Sequence, residues 1–210
     1  MDKVRILDHP LLHHKLSFLR DKDSAPAVFR ANAEAATVLL ASEVTRLLPT
    51  ETVAVETPLA TAQCQRVREE DVTIVPILRA GLGMVQGFLD LMPGARVGHV
   101  GLARNEETHE PEAYYFKMPP GFGRGLTIVV DPMLATGGSA CDAIATLKRH
   151  GAARIVFVCL IASEQGIARL TAEHPDVDVF VGECDAVLND RAYIVPGVGD
   201  AGDRIFGTEN

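Results

Sequence analysis

The chain has only four cysteines in 210 residues, Cys64, Cys141, Cys159 and Cys184, and no CxxC or CxxH pair among them. That spacing speaks against a zinc site and gives no sign of a disulfide framework. A reducing, cytoplasmic setting is the expectation. Long hydrophobic runs are also missing. The longest, Ile155 to Ala162, is too short to span a bilayer. The opening MDKVRILDHPLLHHK has no apolar signal core followed by a small-residue cleavage site. Positive charge is in deficit: 20 Lys and Arg against 28 Asp and Glu give a net charge of −8. The chain therefore lacks the global footprint of a non-specific nucleic-acid binder, and neither nucleic acid nor membrane is expected as a partner. There is no internal repeat and no low-complexity segment. What remains is ordinary globular composition, 47% apolar and 23% charged, in a chain long enough for one domain with one large core.

The first clear element is a helix from about Pro26 to Leu48. Phe29, Ala33, Ala36, Leu40, Val44 and Leu47 recur at three- and four-residue spacing and make one apolar stripe. Pro26 suits a first helical turn, and Pro49 stands where the pattern stops. Five short runs then read as strands: VTIVPIL (Val72 to Leu78), the core of RVGHVGL (Arg96 to Leu102), LTIVV (Leu126 to Val130), RIVFVCLIA (Arg154 to Ala162) and VDVFV (Val177 to Val181). Runs apolar on both faces are what a covered parallel sheet needs. Helical patterns separate the last three. Ala140, Ile144 and Leu147 share one face and Gly151 follows as a stop; Ile167 and Leu170 precede Pro175. The β-α-β-α-β order predicts an α/β domain, an open parallel sheet flanked by helices.

Two segments break the alternation. Ala103 to Gly125 is polar and carries Pro111, Pro119 and Pro120; a loop of that length is a lid, a hairpin or a disordered segment. The tail, Asp185 to Asn210, is rich in Gly and Asp and has no crossover-helix pattern.

The strongest chemical signal is DPMLATGGSA, Asp131 to Ala140, between a strand and a helix. Ligands of open α/β sheets sit outside the carboxyl ends of the strands. A Gly pair lets the backbone approach a ligand closely, and a helix N-terminus presents free N–H groups and a dipole that favours an anion. Thr136 and Ser139 add hydroxyls, and Asp131 stands where it can hold ribose hydroxyls. The same residues fit a purely structural turn, with Ser139 and Asp142 as a capping box. The segment is neither GxGxxG nor GxxxxGK[ST], which disfavours Rossmann and P-loop sites.

VVDPMLATGGSA resembles the signature for 5-phospho-α-D-ribose 1-diphosphate (PRPP) in the uracil phosphoribosyltransferase family. General members of that fold carry two adjacent acidic residues after the strand. Here the second is Pro132, as in the uracil enzymes. VPILRAGLGM (Val75 to Met84) is similar to the family's second phosphate loop, RNEETHEPEAYYFKMP (Arg104 to Pro119) to its flexible loop, YIVPGVGDAGDRIFGT (Tyr193 to Thr208) to its base-binding tail, and HPLLHHKL to its opening. The likeness runs in order along nearly the whole chain. It implies a single phosphoribosyltransferase domain over 1–210, with a core at about 70–182, a flexible loop or hairpin at about 103–125 and a small C-terminal base-binding hood at about 185–210. Two positions depart from the family: Ala103 where an aromatic residue is usual, and His109 where an aliphatic one is.

The resemblance implies transfer of a phosphoribosyl group from PRPP to uracil, giving UMP and diphosphate. It implies Mg2+ chelated by PRPP rather than held by a dedicated protein site, a homo-oligomer (dimer or tetramer), and, in some members, activation by GTP. PRPP would be bound by Arg79, Arg104, Asp131, Pro132, Met133, Leu134, Ala135, Thr136, Gly137, Gly138, Ser139 and Asp200. Within this set Ala135 to Ser139 would cradle the 5′-phosphate, Asp131 would face the ribose, and Arg79 would meet the diphosphate with a fork that Lys cannot copy. Arg79, Asp131 and Asp200 would be the residues at the reacting centre. Uracil would be held by main chain at Ile194 and at Gly199, Asp200 and Ala201. No covalent nucleophile is needed. Glu106, Glu107, Glu110 and Glu112 show no regular ligand spacing and read as a solvated face. The alternative function is a regulator of pyrimidine genes that binds RNA on the same fold. It needs a basic face, against which stand the charge of −8 and the intact tail.

Overall fold

Short, largely apolar runs become the central strands of one sheet. A computed structural model of the chain describes residues 3–104 and 111–208, and side chains within that set except those at 103, 104 and 111–113. In chain order the elements are β1 (Val4–Ile6), α1 (Pro10–Arg20), α2 (Pro26–Val44), β2 (Thr50–Glu56), β3 (Thr61–Val67), β4 (Thr73–Pro76), α3 (Leu82–Leu89), β5 (Arg96–Val97), β6 (His99–Arg104) and β7 (Pro111–Lys117). They continue with β8 (Leu126–Val130), β9 (Met133–Leu134), α4 (Gly138–Arg149), β10 (Arg154–Ser163), α5 (Glu164–Glu173), β11 (Asp178–Asp185), β12 (Val187–Leu188), β13 (Ile194–Val195) and α6 (Ala201–Phe206).

The central sheet is parallel, in the order β1-β11-β10-β8-β4-β5, with β9 beside β10. Successive residues of its strands point to opposite faces. Ile128 and Val130 enter the core shared with α1, α2 and α3; Val129 enters the one shared with α4 and α5. This is the α/β architecture expected from the runs of apolar residues. The helix predicted from Pro26 is α2, which runs to Val44 and ends in a 3-10 turn at Thr45–Leu47.

One expected strand divides. RVGHVGL supplies only β5 to the sheet edge, and β6 leaves to pair antiparallel with β7. The polar segment beginning at Ala103 is thus, on both flanks of residues 105–110, an arm of a hairpin. Among the elements with no counterpart in the periodic segments of the sequence are β1, α1 and the pair β2 and β3. β1 adds an edge strand beside β11. α1 buries Leu12, Leu16 and Leu19 on one stripe, each worth about 1.5–3 kcal/mol when fully buried. The β2–β3 hairpin pairs Val53 with Cys64 and Val55 with Ala62 and leaves Leu59 97% exposed near its tip. All four cysteines are free thiols, and no helix among the described residues is long and apolar enough to cross a membrane.

The strand order reverses between β4 and β8. From β8 the chain crosses through α4 to β10; from β4 it crosses through α3 to β5 on the other side. The segments leaving the carboxyl ends of β4 and β8 therefore diverge and leave a crevice between them, where open α/β sheets bind ligands.

Candidate active site

Asp131 stands at the floor of that crevice, directly after β8. Its N–H donates to the Val158 carbonyl at 3.2 Å, and its Oδ1 accepts a long hydrogen bond from the Met133 N–H at 3.5 Å. Burial by the surrounding protein pushes its pKa from 3.8 up to about 7, against a smaller downward pull from the Met133 N–H. An acid poised there binds a proton, a cation or a pair of hydroxyls within the physiological range.

The turn that follows has no side-chain cap. Gly137 is the N-cap of α4, with φ +79°, and no side chain accepts from the first helical N–H groups. The capping-box alternative is thereby overturned: Ser139 lies inside the first turn of the helix instead of at its cap. Asp131 and Met133 to Ala140 enclose a recess of about 90 Å3. Backbone donors left without a protein acceptor around such a recess suit an anion.

The second wall is the tail. A cavity of about 230 Å3 is lined by Ala80, Asp131, Met133, Ala135, Ala192, Tyr193, Ile194, Gly199, Asp200, Ala201 and Gly202. Asp131, Met133 and Ala135 belong to both cavities, so the two are contiguous. The structure thus brings together Asp131, the turn through Ser139, and the predicted base contacts Ile194, Gly199, Asp200 and Ala201. Pro132 is buried behind the recess, where its carbonyl accepts from the N–H groups of Leu160 and Ile161. Asp200 also stabilises the local fold, since as N-cap of α6 its Oδ1 accepts from the Asp203 N–H at 2.9 Å.

Arg79 follows a cis peptide after Leu78. Its guanidinium turns to the tail, 3.4 Å from Asp203 and 6.0 Å from the centre of the Phe206 ring. It sits at the rim, with Ala80 forming the wall. Arg104 ends β6, and its side chain, like those of Ala103 and Glu112, lies outside the described residues, as do Glu106, Glu107, His109 and Glu110. A larger cavity of about 310 Å3 opens at the amino ends of β8 and β10, beside Leu126 and Arg154. It contains none of the motif residues and lies at the wrong end of the sheet.

Residues 6–208 match the family model described as uracil phosphoribosyltransferase. The chain belongs to the uracil phosphoribosyltransferase family. A uracil phosphoribosyltransferase of Symbiobacterium thermophilum is 52% identical over 209 residues, covering 100% of both chains. One of Clostridium perfringens is 53% identical with the same coverage. Among solved structures, the AQ2163 protein from Aquifex aeolicus is 35% identical, covers 98% of this chain and 99% of its own, and superposes with a TM-score of 0.90. An adenine phosphoribosyltransferase from Trypanosoma brucei, 11% identical and covering 91% of this chain and 88% of its own, has a TM-score of 0.58. It shares the fold.

In this uracil phosphoribosyltransferase family member two of the residues that hold the tail, Arg20 and Asp185, lie outside every motif. Arg20, at the end of α1, forks onto Asp185 with two 2.9 Å bonds and reaches the Gly197 carbonyl at 3.1 Å; Asp185 also accepts from the Gly197 N–H at 3.0 Å. Gly197 has φ +54°, and a Cβ there would lie 2.1 Å from the Ile194 carbonyl oxygen. Arg204 of α6 donates to the carbonyls of Leu19, Asp21 and Val198 and lies over the Phe29 ring. These clamps carry the tail to the crevice from α1 and α2. Nothing in local sequence spacing links Arg20 to Asp185, 165 residues away.

Proposed function

We propose that the chain transfers the 5-phosphoribosyl group of PRPP to N1 of uracil, giving UMP and diphosphate. The observation that carries this is the contiguity of the two cavities through Asp131, Met133 and Ala135. A phosphorylated sugar lying from the turn to Asp131 ends with its C1′ toward the tail. In the reaction the C1′–O bond breaks with its electron pair leaving on diphosphate, and the N1–C1′ bond forms as N1 gives up its proton.

The role of each group follows from its chemistry. The uncapped N–H groups of the turn and the hydroxyls of Thr136 and Ser139 hold the 5′-phosphate. The Asp131 carboxylate orients the ribose hydroxyls and favours positive charge developing on the ring. Arg79 meets the diphosphate once its guanidinium leaves Asp203, a half-exposed pairing that is cheap to break. Arg104 approaches from the hairpin, and Asp200 lies between base and PRPP. Backbone groups at Ile194 and Gly199 to Ala201 read the uracil edge. Positioning two reactants in line supplies much of the acceleration.

Mg2+ enters as part of the substrate, on the diphosphate of PRPP, where it stabilises leaving-group charge. Asp131 and Asp200 offer hard oxygen donors of the kind that complete such a shell beside phosphate oxygens. A homo-oligomer belongs to this reading, supported by the projecting β2–β3 hairpin with Leu59 exposed. A cytoplasmic location is supported by four unpaired thiols, and activation by GTP by the family likeness alone. The full-length relatives' names favour the transferase over the RNA-binding regulator.

The test is product formation from Mg2+ and PRPP with uracil, 5-fluorouracil, cytosine, hypoxanthine and adenine at equal concentration. A fixed backbone donor facing the 4-carbonyl of uracil would face the amino group of cytosine, and each unpaired buried group costs about 1–3 kcal/mol. Uracil and 5-fluorouracil should react, and cytosine should be slower by about 10⁴. Equal rates for cytosine would overturn backbone readout; preference for a purine would overturn the function.

A further inference from the structure

We infer that Arg169 is a phosphate-binding residue of this chain: carried on α5, it supplies the turn at Asp131 to Ala140 with the positive charge that the turn itself lacks. The inference rests on that turn being the 5′-phosphate site. The residues enclosing the recess include one carboxylate, Asp131, and no cation. A phosphomonoester carries nearly two negative charges near neutrality, whereas a helix N-terminus offers about half a positive one.

The missing charge comes from the next helix. The first turn of α5 is docked on the phosphate turn. Ser163, its N-cap, donates to the Ala135 carbonyl at 2.6 Å and accepts from the Gly166 N–H at 2.9 Å. Gly166 packs so closely that a Cβ there would lie 2.5 Å from the carbonyl oxygens of both Leu134 and Ala135. Three residues on, the same helix face presents Arg169. A Cβ at Gly137 would lie 3.3 Å from Arg169 Cβ and 3.4 Å from its Cδ, so the arginine stem covers that glycine. A Cβ at Gly138, the first residue of α4, would lie 3.3 Å from Arg169 Nη1.

The guanidinium is oriented as well as near. Its Nε donates to Glu173 at 2.7 Å, one turn along α5, while Nη1 lies beside the turn at Gly138. The side chain is 44% exposed, so an anion arriving from solvent meets it with little desolvation. Glu173 and Asp142 are its acidic neighbours, and a phosphate on the uncapped N–H groups of α4 would compete with them for the same charge. A fork-shaped donor beside a helix N-terminus is well matched to phosphate oxygens.

The experiment varies PRPP and uracil separately for wild type, Arg169→Gln and Arg169→Lys at low and high salt, with melting temperatures as a fold check. Binding of ribose 5-phosphate is measured beside it by calorimetry. Arg169→Gln should raise the KM for PRPP by about three- to tenfold while kcat and the uracil KM stay within about twofold. Arg169→Lys should recover part of the loss, and the gap should narrow at high salt. Ribose 5-phosphate, which has no diphosphate, should weaken by a similar factor. An unchanged PRPP KM in an active Arg169→Gln enzyme overturns the inference and leaves the transferase standing. So do equal, salt-independent losses in the Gln and Lys variants, which would mean packing. Absence of uracil turnover in the wild type overturns the transferase; ribose 5-phosphate binding then judges Arg169 by itself, and equal affinity in wild type and Arg169→Gln, or no binding by either, rejects it.

Discussion

The guanidinium of Arg79 lies 3.4 Å from the Asp203 carboxylate, joining the loop after β4 to the tail helix across the rim of the crevice. Both groups keep other options: Asp203 also accepts from Thr208, and the Arg79 side chain is 58% exposed. The contact therefore adds little to stability, and the arginine is available to a stronger partner.

From this follows the first prediction. Arg79→Lys keeps the charge but loses the fork. Its melting temperature should match the wild type within about 4 °C, because an exposed pair is worth at most about 1 kcal/mol. Its kcat/KM for PRPP should fall by about tenfold or more. Wild-type kinetics in this variant would take Arg79 away from the diphosphate.

Asp131→Asn removes the only carboxylate of the turn's recess while keeping its size. Turnover at saturating PRPP should fall by at least about tenfold, equivalent to about 1.4 kcal/mol of transition-state stabilisation. Steady-state rates alongside circular dichroism check this, and an unchanged rate in a folded variant would exclude Asp131 from the reaction.

The raised pKa of Asp131 also makes a claim about stability. In the folded chain this carboxyl holds its proton up to about 7, while an unperturbed one releases it near 3.8. The folded state thus binds the extra proton between those values. The corresponding stabilisation is complete below 3.8 and is lost as pH rises through about 7. Without ligands, the wild type should lose melting temperature relative to Asp131→Asn between about pH 5 and pH 8. A gap that stays constant across that range would contradict the desolvation of this carboxyl.

The Arg20–Asp185 fork is a clamp on the tail at a distance from the chemistry. Asp185 keeps only 6% of its side chain exposed. Arg20→Ala strands that carboxylate and should cost about 3 kcal/mol, lowering the melting temperature by about 5–10 °C. Where the fold survives, the KM for uracil should rise more than the KM for PRPP, because the tail and not the turn is released. Gly197→Ala forces a Cβ against the Ile194 carbonyl and should shift the same two constants in the same order. A uniform loss in both substrates would show that the clamp serves the whole domain.

Much of the fold was legible because the central strands are buried on both faces. Ile128, Val129 and Val130 are apolar together for that reason, and the same holds for Val156 to Cys159. The elements that escaped notice carry weaker patterns. β1 is three residues long, and its Arg5 and Ile6 are exposed. The β2–β3 hairpin is mostly solvated, so its alternation is shallow. For α1 the signal existed: Leu12, Leu16 and Leu19 repeat at helical spacing but stand among histidines and lysine. RVGHVGL misled because its apolar residues serve two sheets, Val97 in β5 and Val100 and Leu102 in β6.

The sequence alone determined the strand–turn–helix at Asp131, the residue types of that turn and the glycine-bearing tail, because those depend on near neighbours in the chain. Tertiary structure decided which of these segments meet. Reversal of strand order beside β8 set the turn against the loop after β4, and Arg20 and Arg204 carried the tail across from α1 and α2. Only packing of α5 on the turn brought Arg169 to the glycine pair. The pKa of Asp131 was likewise invisible in DPMLATGGSA, since it comes from the protein that surrounds the carboxylate and not from the residues beside it in the chain.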